Sequence, residues 1–105
     1  MIGRVWHGWT SLENAAAYEQ LLREEVFLGI AGRRMAGYHG IQLFRRSLEG
    51  EVEFVTIMWF DSFDAVRAFA GEDYEQAVVP PKARALLSRF DDRSQHYDIV
   101  ERLSY

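Results

Sequence analysis

Three histidines, His7, His39 and His96, carry most of the proton chemistry open to this chain near neutral pH. An imidazole titrates close to pH 6.5, so each can take or give a proton under ordinary conditions. In "SQHYDIV" His96 stands directly before Tyr97, a base beside a phenol that can donate to an oxyanion. Metal spacing is missing: no His or carboxylate stands three or four residues after any of the three, so no metal site is expected. The chain has no cysteine, which removes disulfides and thiolate nucleophiles. It also has no Gly-x-Ser-x-Gly elbow, and its serines fall mostly where caps and turns need them. "GRRMAG" lacks the strand-to-helix setting of a phosphate loop. Acid–base chemistry in an aromatic pocket is what remains. Arg4 and Arg45 stand in otherwise apolar stretches, where each should pair with a carboxylate such as Asp98 or Glu53, or meet an anionic ligand.

Composition narrows the partners. The 105 residues suit one domain spanning 1–105, and 49% apolar residues can fill its core. Twelve Lys and Arg against sixteen Asp and Glu leave a net charge of −4, which speaks against a nucleic-acid surface. No apolar run reaches the roughly 18 residues of a membrane span. "MIGRVWHGW" lacks the pattern of a signal peptide. A cytoplasmic protein with neither nucleic acid nor membrane as partner is therefore expected.

Periodicity then says what positions these side chains. "IGRVWHGW" (Ile2–Trp9) reads as a strand, and "TSLE" offers a helix cap at Thr10 or Ser11 with Glu13 at capping-box spacing. Leu12, Ala15, Tyr18, Leu22 and Val26 mark the apolar face of a first helix, closed by Gly29 and Gly32. Tyr38–Leu48 is a second strand, Glu49-Gly50 a turn and Glu51–Phe60 a third strand. From Val52 to Phe60 that strand is apolar at nearly every position, so both its faces should be covered, one by the chain's own helices and the other by a second copy of the sheet. Asp61 or Ser62 caps a second helix that Gly71 ends. A short turn follows from Asp73 to Val79. Pro80-Pro81 restarts a helix over Lys82–Phe90, and Gln95–Leu103 is a fourth strand. The order is βαββαβ, a ferredoxin-like α+β domain with an antiparallel sheet. Side chains alternate along a strand, so His96 and Tyr97 should face opposite sides, as should Trp6 and Trp9. His7 and His96 lie on strands that this fold sets side by side or nearly so.

"RVWHGWT", "GYHGIQLFRR" and the stretch from "FVTIMWFDSF" to "SQHYDIV" together resemble the antibiotic biosynthesis monooxygenase branch of the dimeric α/β-barrel superfamily, over nearly the whole chain. The resemblance implies a homodimer whose two sheets close a barrel, with the helices outside and a pocket between sheet and helices in each subunit. It implies two activities among relatives: cofactor-free oxidation of phenolic polycycles to quinones by O₂, and heme binding with degradation. The heme-degrading relatives use an Asn on the first strand, a Trp in the second helix and a His about ten residues later. This chain has no Asn in Ile2–Trp9, Phe69 near the Trp position and Val78-Val79-Pro80 near the His position, which marks heme degradation down. Its only Asn, Asn14, lies in the first helix, so the Asn, Trp, Tyr and Arg set of the cofactor-free oxygenases is not reproduced either.

The reading that follows is a cofactor-independent monooxygenase acting on a small aromatic or polyketide-like ligand in a pocket of about 300 Å³ or more. His96 or His7 is the candidate base. Trp59, Trp6, Tyr74, Tyr97 and Arg4 are the candidate substrate-binding residues. By analogy, Trp59 shares a pocket-facing strand face with Val55 and Ile57, and "DYEQAVVPP" puts Tyr74 at the pocket mouth. Each of these also has a plain structural role: a hydrogen-bonded sheet histidine, or an aromatic that fills the core. A non-catalytic dimeric ligand-binding module is the alternative, with heme binding alone less favoured.

Overall fold

The computed structural model describes all 105 residues. One sheet carries the molecule. It comprises β1 (Ile2–Ser11), β2 (Tyr38–Leu48), β3 (Glu51–Phe60), β4 (Leu87–Phe90) and β5 (Gln95–Asp98). The helices are α1 (Ala15–Leu21), a π-helical turn (Leu22–Val26) running on into α2 (Phe27–Gly32), α3 (Phe63–Ala70) and α4 (Pro81–Leu86). Strand order is β2-β3-β1-β4, every pair antiparallel, with β5 also on β1. β5 pairs with Ile2–Val5 and β4 with Gly8–Thr10, so the two short strands share one edge of β1. That is the ferredoxin-like α+β layout, its fourth strand broken in two.

The differences from the expected elements have local causes. The helix expected over Lys82–Phe90 stops at Leu86, because Leu87–Phe90 finds a free edge of β1 and tertiary pairing overrides helix propensity. The strand expected to reach Leu103 ends at Asp98. Asp98 pairs with Ile2 and Ile99 N–H still donates to Met1 O (3.0 Å), after which β1 has no residue left to offer. Thr10 stays in β1 with its side chain fully buried, so the first helix begins at Ala15, after a turn in which Ser11 Oγ accepts from Asn14 N–H (3.2 Å). The caps around α3 form as expected, with Ser62 Oγ accepting from Ala65 N–H (3.3 Å) and Gly71 leaving the helix at φ 93°. Asp73–Val79 is not helical and is tied down by a bridge between Gln76 and Arg93.

Pairing assigns the faces. Ile2, Arg4, Trp6, Gly8 and Thr10 of β1 oppose Phe60, Met58, Thr56, Phe54 and Val52 of β3. These five β3 positions are buried and the five between them only half-buried, so the helices cover this face. Two core clusters form under them. One joins Ala15, Tyr18, Leu22 and Ala83 to Val52 and Phe54, the other Ala65 and Val66 to Ile2, Met58 and Phe60. The opposite face bears Val5, His7, Trp9, Val55, Ile57 and Trp59, with no helix over it.

Candidate functional site

The two core clusters do not quite meet, and the seam between them is a cavity of about 60 Å³. Sixteen residues line it, twelve of them hydrophobic, drawn from the sheet, from the π turn and α2, from Phe69 of α3, and from Val78-Val79-Pro80. The π turn places Leu22 and Val26 in the wall, with Phe27 next to them. An inserted π turn is a frequent adaptation at functional sites. On the sheet side the wall holds Arg4, Trp6, Ile41, Thr56 and Met58. The volume is well below the 300 Å³ anticipated, because Trp6, Phe27, Phe69 and Tyr18 converge on the space. Even a benzene-sized guest occupies an engineered cavity of about 150 Å³. The cavity, which opens to the surface beside the half-exposed Val78, therefore holds a compact molecule, and a ring system does not fit wholly inside it.

Arg4 is the one charged residue in the wall and is only 3% exposed. Its Nη1 donates to Tyr74 O and to His96 Nε2 (3.0 Å), and its Nη2 donates to Gln76 O (3.0 Å). A guanidinium has no lone pair to offer, so His96 Nε2 must be the acceptor and the imidazole is neutral with its proton on Nδ1. That Nδ1 is buried without a partner. Burial first, and the positive Arg4 second, hold the His96 pKa below its ordinary value. Burial lowers the Arg4 pKa to about 10, which leaves it charged at neutral pH.

The predicted site residues divide between the two faces. Arg4, Trp6 and His96 lie on the helix side, where His96 pairs with Arg4 across the β1–β5 ladder. Trp6 Nε1–H donates to Asp91 O (2.9 Å), and Gly8 makes room for the indole, since a Cβ there would fall 2.6 Å from it. Tyr74 packs its ring edge-on to His96 (centroids 5.2 Å apart) and against Phe63, and reaches Arg4 through its carbonyl. His96 and Tyr74 stand behind Arg4, outside the cavity wall.

His7, Trp59 and Tyr97 are on the other face. The placement of Trp59, Val55 and Ile57 toward the helices is thus corrected: the alternate set Val52, Phe54, Thr56, Met58 and Phe60 faces them. Trp59 lies over Gly3 and donates to Gln42 Oε1 (3.0 Å). Tyr97 opposes Gly3 and is 60% exposed. His7 is held by Asp91, whose Oδ2 is 2.7 Å from Nδ1 and accepts the His7 backbone N–H (3.1 Å). An odd-numbered β1 residue cannot join the even-numbered set, so His7 and His96 are separated by the sheet. Arg45 pairs with Glu19 (2.9 Å), and neither it nor Arg4 pairs with Asp98 or Glu53.

Tyr18, Thr56 and Ser94, all nearly fully buried, are wall residues the sequence reading passed over. Thr56 had a usable signal, as the one polar residue in the series Val52, Phe54, Thr56, Met58, Phe60. Ser94 and Tyr18 had none, since a serine before a strand and a tyrosine on a helix face look ordinary.

The sheet order and the single helix layer define the class, a ferredoxin-like α+β fold of the kind found in antibiotic biosynthesis monooxygenase-type structures. Among solved structures, a protein from Deinococcus radiodurans provisionally named an antibiotic biosynthesis monooxygenase matches with a TM-score of 0.64 at 18% identity, over 100% of this chain and 98% of that one. A single-substitution variant of MhuD, with two manganese protoporphyrin IX molecules bound per active site, matches at 0.61 and 16% identity over the full length of both chains. A Bacillus cereus protein, also provisionally named an antibiotic biosynthesis monooxygenase, matches at 0.61 and 11% identity, over 99% of this chain and 94% of that one. No protein-family model matches the sequence, and no curated protein does. At these identities the likeness concerns the fold.

The residues present do not fit a porphyrin. The cavity of about 60 Å³ is far smaller than a tetrapyrrole, and its wall contains no histidine to ligate iron. Val78-Val79-Pro80 and Phe69, where a heme-degrading relative would carry His and Trp, do line the cavity, but they offer only apolar surface.

Proposed function

We propose that this chain forms a homodimer that binds a small organic molecule in the cavity between sheet and helices and oxidises it with O₂, without a bound cofactor. The observation that carries the reading is the mostly aromatic and aliphatic cavity between sheet and helices, with one buried charged group, Arg4, in its wall. Apolar pockets with a few convergent polar groups are the usual form of small-molecule sites. The monooxygenase half draws on the shared fold and on the provisional names of two of its structural neighbours.

In this reading a substrate bearing an enolisable C–H next to its ring, or a phenolic O–H on it, loses that proton. The resulting anion is oxidised by O₂ to a hydroperoxide. Loss of water then leaves a carbonyl, so that CH₂ and O₂ become C=O and H₂O. His96, which stands behind Arg4, is the base, and Arg4 must release its Nε2 lone pair and turn aside before the substrate comes within its reach. Trp6 and Phe69 supply the walls. Trp59 and His7, on the far side of the sheet, belong to the dimer face.

The test is oxygen uptake with a panel of anthrones and hydroquinones. Wild type should consume O₂ with at least one of them, and His96→Ala should be about 10²-fold slower or worse. No uptake across the panel contradicts the oxygenase reading. The second reading, a non-catalytic ligand-binding module, is favoured by one observation: a cavity of about 60 Å³ does not hold a whole tricyclic substrate.

A further inference from the structure

Arg4 differs from the other well-placed arginines of this chain. Arg45, Arg46, Arg67, Arg89 and Arg93 each pair with a carboxylate, and all of them are substantially exposed. Arg4, the buried one, is in no ion pair. The carboxylates nearest in sequence to its carbonyl partners, Asp73 and Glu75, are engaged by Arg93 at 2.7 and 3.2 Å. An isolated cation under a protein surface is costly, and neutral partners offset only part of that cost. Three of the five guanidinium N–H groups are used, two from Nη1 and one from Nη2. The two left over are the Nε–H and one Nη2–H, two donors for the two oxygens of a carboxylate. The same wall holds the hydroxyl-bearing residues Tyr18, Thr56 and Ser94, each more than nine-tenths buried.

We propose that the cavity is an anion site whose occupant presents a carboxylate, or an ionised phenol or enol, to the free N–H groups of Arg4. The inference rests on the reading of the cavity as the ligand site and adds the charge of the ligand. The anion completes the ion pair that the chain leaves open, and the three hydroxyls orient it. His96, neutral and already accepting from Arg4, does not compete with it for the positive charge. The ligand is therefore a compact organic acid, or a molecule with an acidic enol or phenol.

The experiment compares acids with their amides, which match in shape and lack the charge. Propionate and propionamide probe the cavity with a compact guest, and benzoate and benzamide probe whether a ring enters. Calorimetric titration of wild type should show at least one acid binding about tenfold or more tighter than its amide, with a matching rise in melting temperature for the acid alone. Arg4→Met should bring acid binding down to that of the amide, and Arg4→Lys, which keeps the charge without the fork, should fall between. If Arg4→Met does not fold, the wild-type acid-to-amide ratio and Arg4→Lys decide the matter alone. Acids and amides binding equally to wild type would overturn the anion site and leave the cavity as a ligand site. An acid preference that survives Arg4→Met would overturn it too. Neither class binding would overturn both.

Discussion

At the scale of single residues, the neutral state of His96 has a thermodynamic consequence. Its pKa in the folded protein lies below the ordinary 6.5, through burial and the adjacent Arg4. The unfolded chain therefore binds this proton more readily than the folded one. Stability from this site is complete above about pH 6.5 and falls as the pH drops through the interval down to the lower folded value. Denaturant titrations across that interval should show wild type losing stability on acidification, and His96→Gln losing less. Equal losses in both would mean that His96 does not set this dependence. The histidine chemistry was legible in the sequence only in part. Alternation separated His96 from Tyr97 correctly, but it could not show that His96 would spend its lone pair on Arg4, a contact spanning 92 residues. Nor could it show that Arg4 would find backbone carbonyls and an imidazole where a carboxylate was anticipated.

At the scale of elements, strand alternation specified two sets of side chains and left open which set met the helices. The set holding Phe54, Met58 and Phe60 won, which moved Trp59 away from the cavity and kept Trp6 in it. Element types were well marked where periodicity was strong, in β1, β2, β3 and α3. They were misread where the neighbour decides, as with Leu87–Phe90, which is a strand only because β1 has an edge to fill. Gly8 shows how closely β1 is fitted to the site. An alanine methyl there would fall 2.6 Å from the Trp6 ring and 2.9 Å from Leu87. Gly8→Ala should therefore cost about 1–3 kcal/mol of stability by overpacking and shift the Trp6 fluorescence. A melting temperature and spectrum identical to wild type would show that the indole is free to move aside.

At the scale of the whole molecule, the sheet face without helices is the main unsatisfied feature. Val5, Trp9, Val55, Ile57 and Trp59 are half-buried there, and Phe44 on β2 is 48% exposed. Monomeric proteins seldom leave a contiguous apolar face of this kind open, and a second copy of the sheet covers it economically. Sedimentation should give about twice the chain mass of 12.2 kDa, and Ile57→Asp should shift it toward the monomer by placing a charge in the middle of that face. A monomeric wild type at micromolar concentration would leave the face without its proposed partner. No helix is long and apolar enough to cross a membrane.

The central claim is that ligand enters the helix side of the sheet. Backbone and side-chain NMR shifts, recorded while benzoate or propionate is titrated into the isotopically labelled protein, test it most directly. Saturable perturbations are expected at Arg4, Trp6, Thr56 and Phe69, with the Arg4 Nε–H moving furthest. Perturbations confined to His7, Trp9 and Trp59 on the opposite face, or none at all, would contradict it.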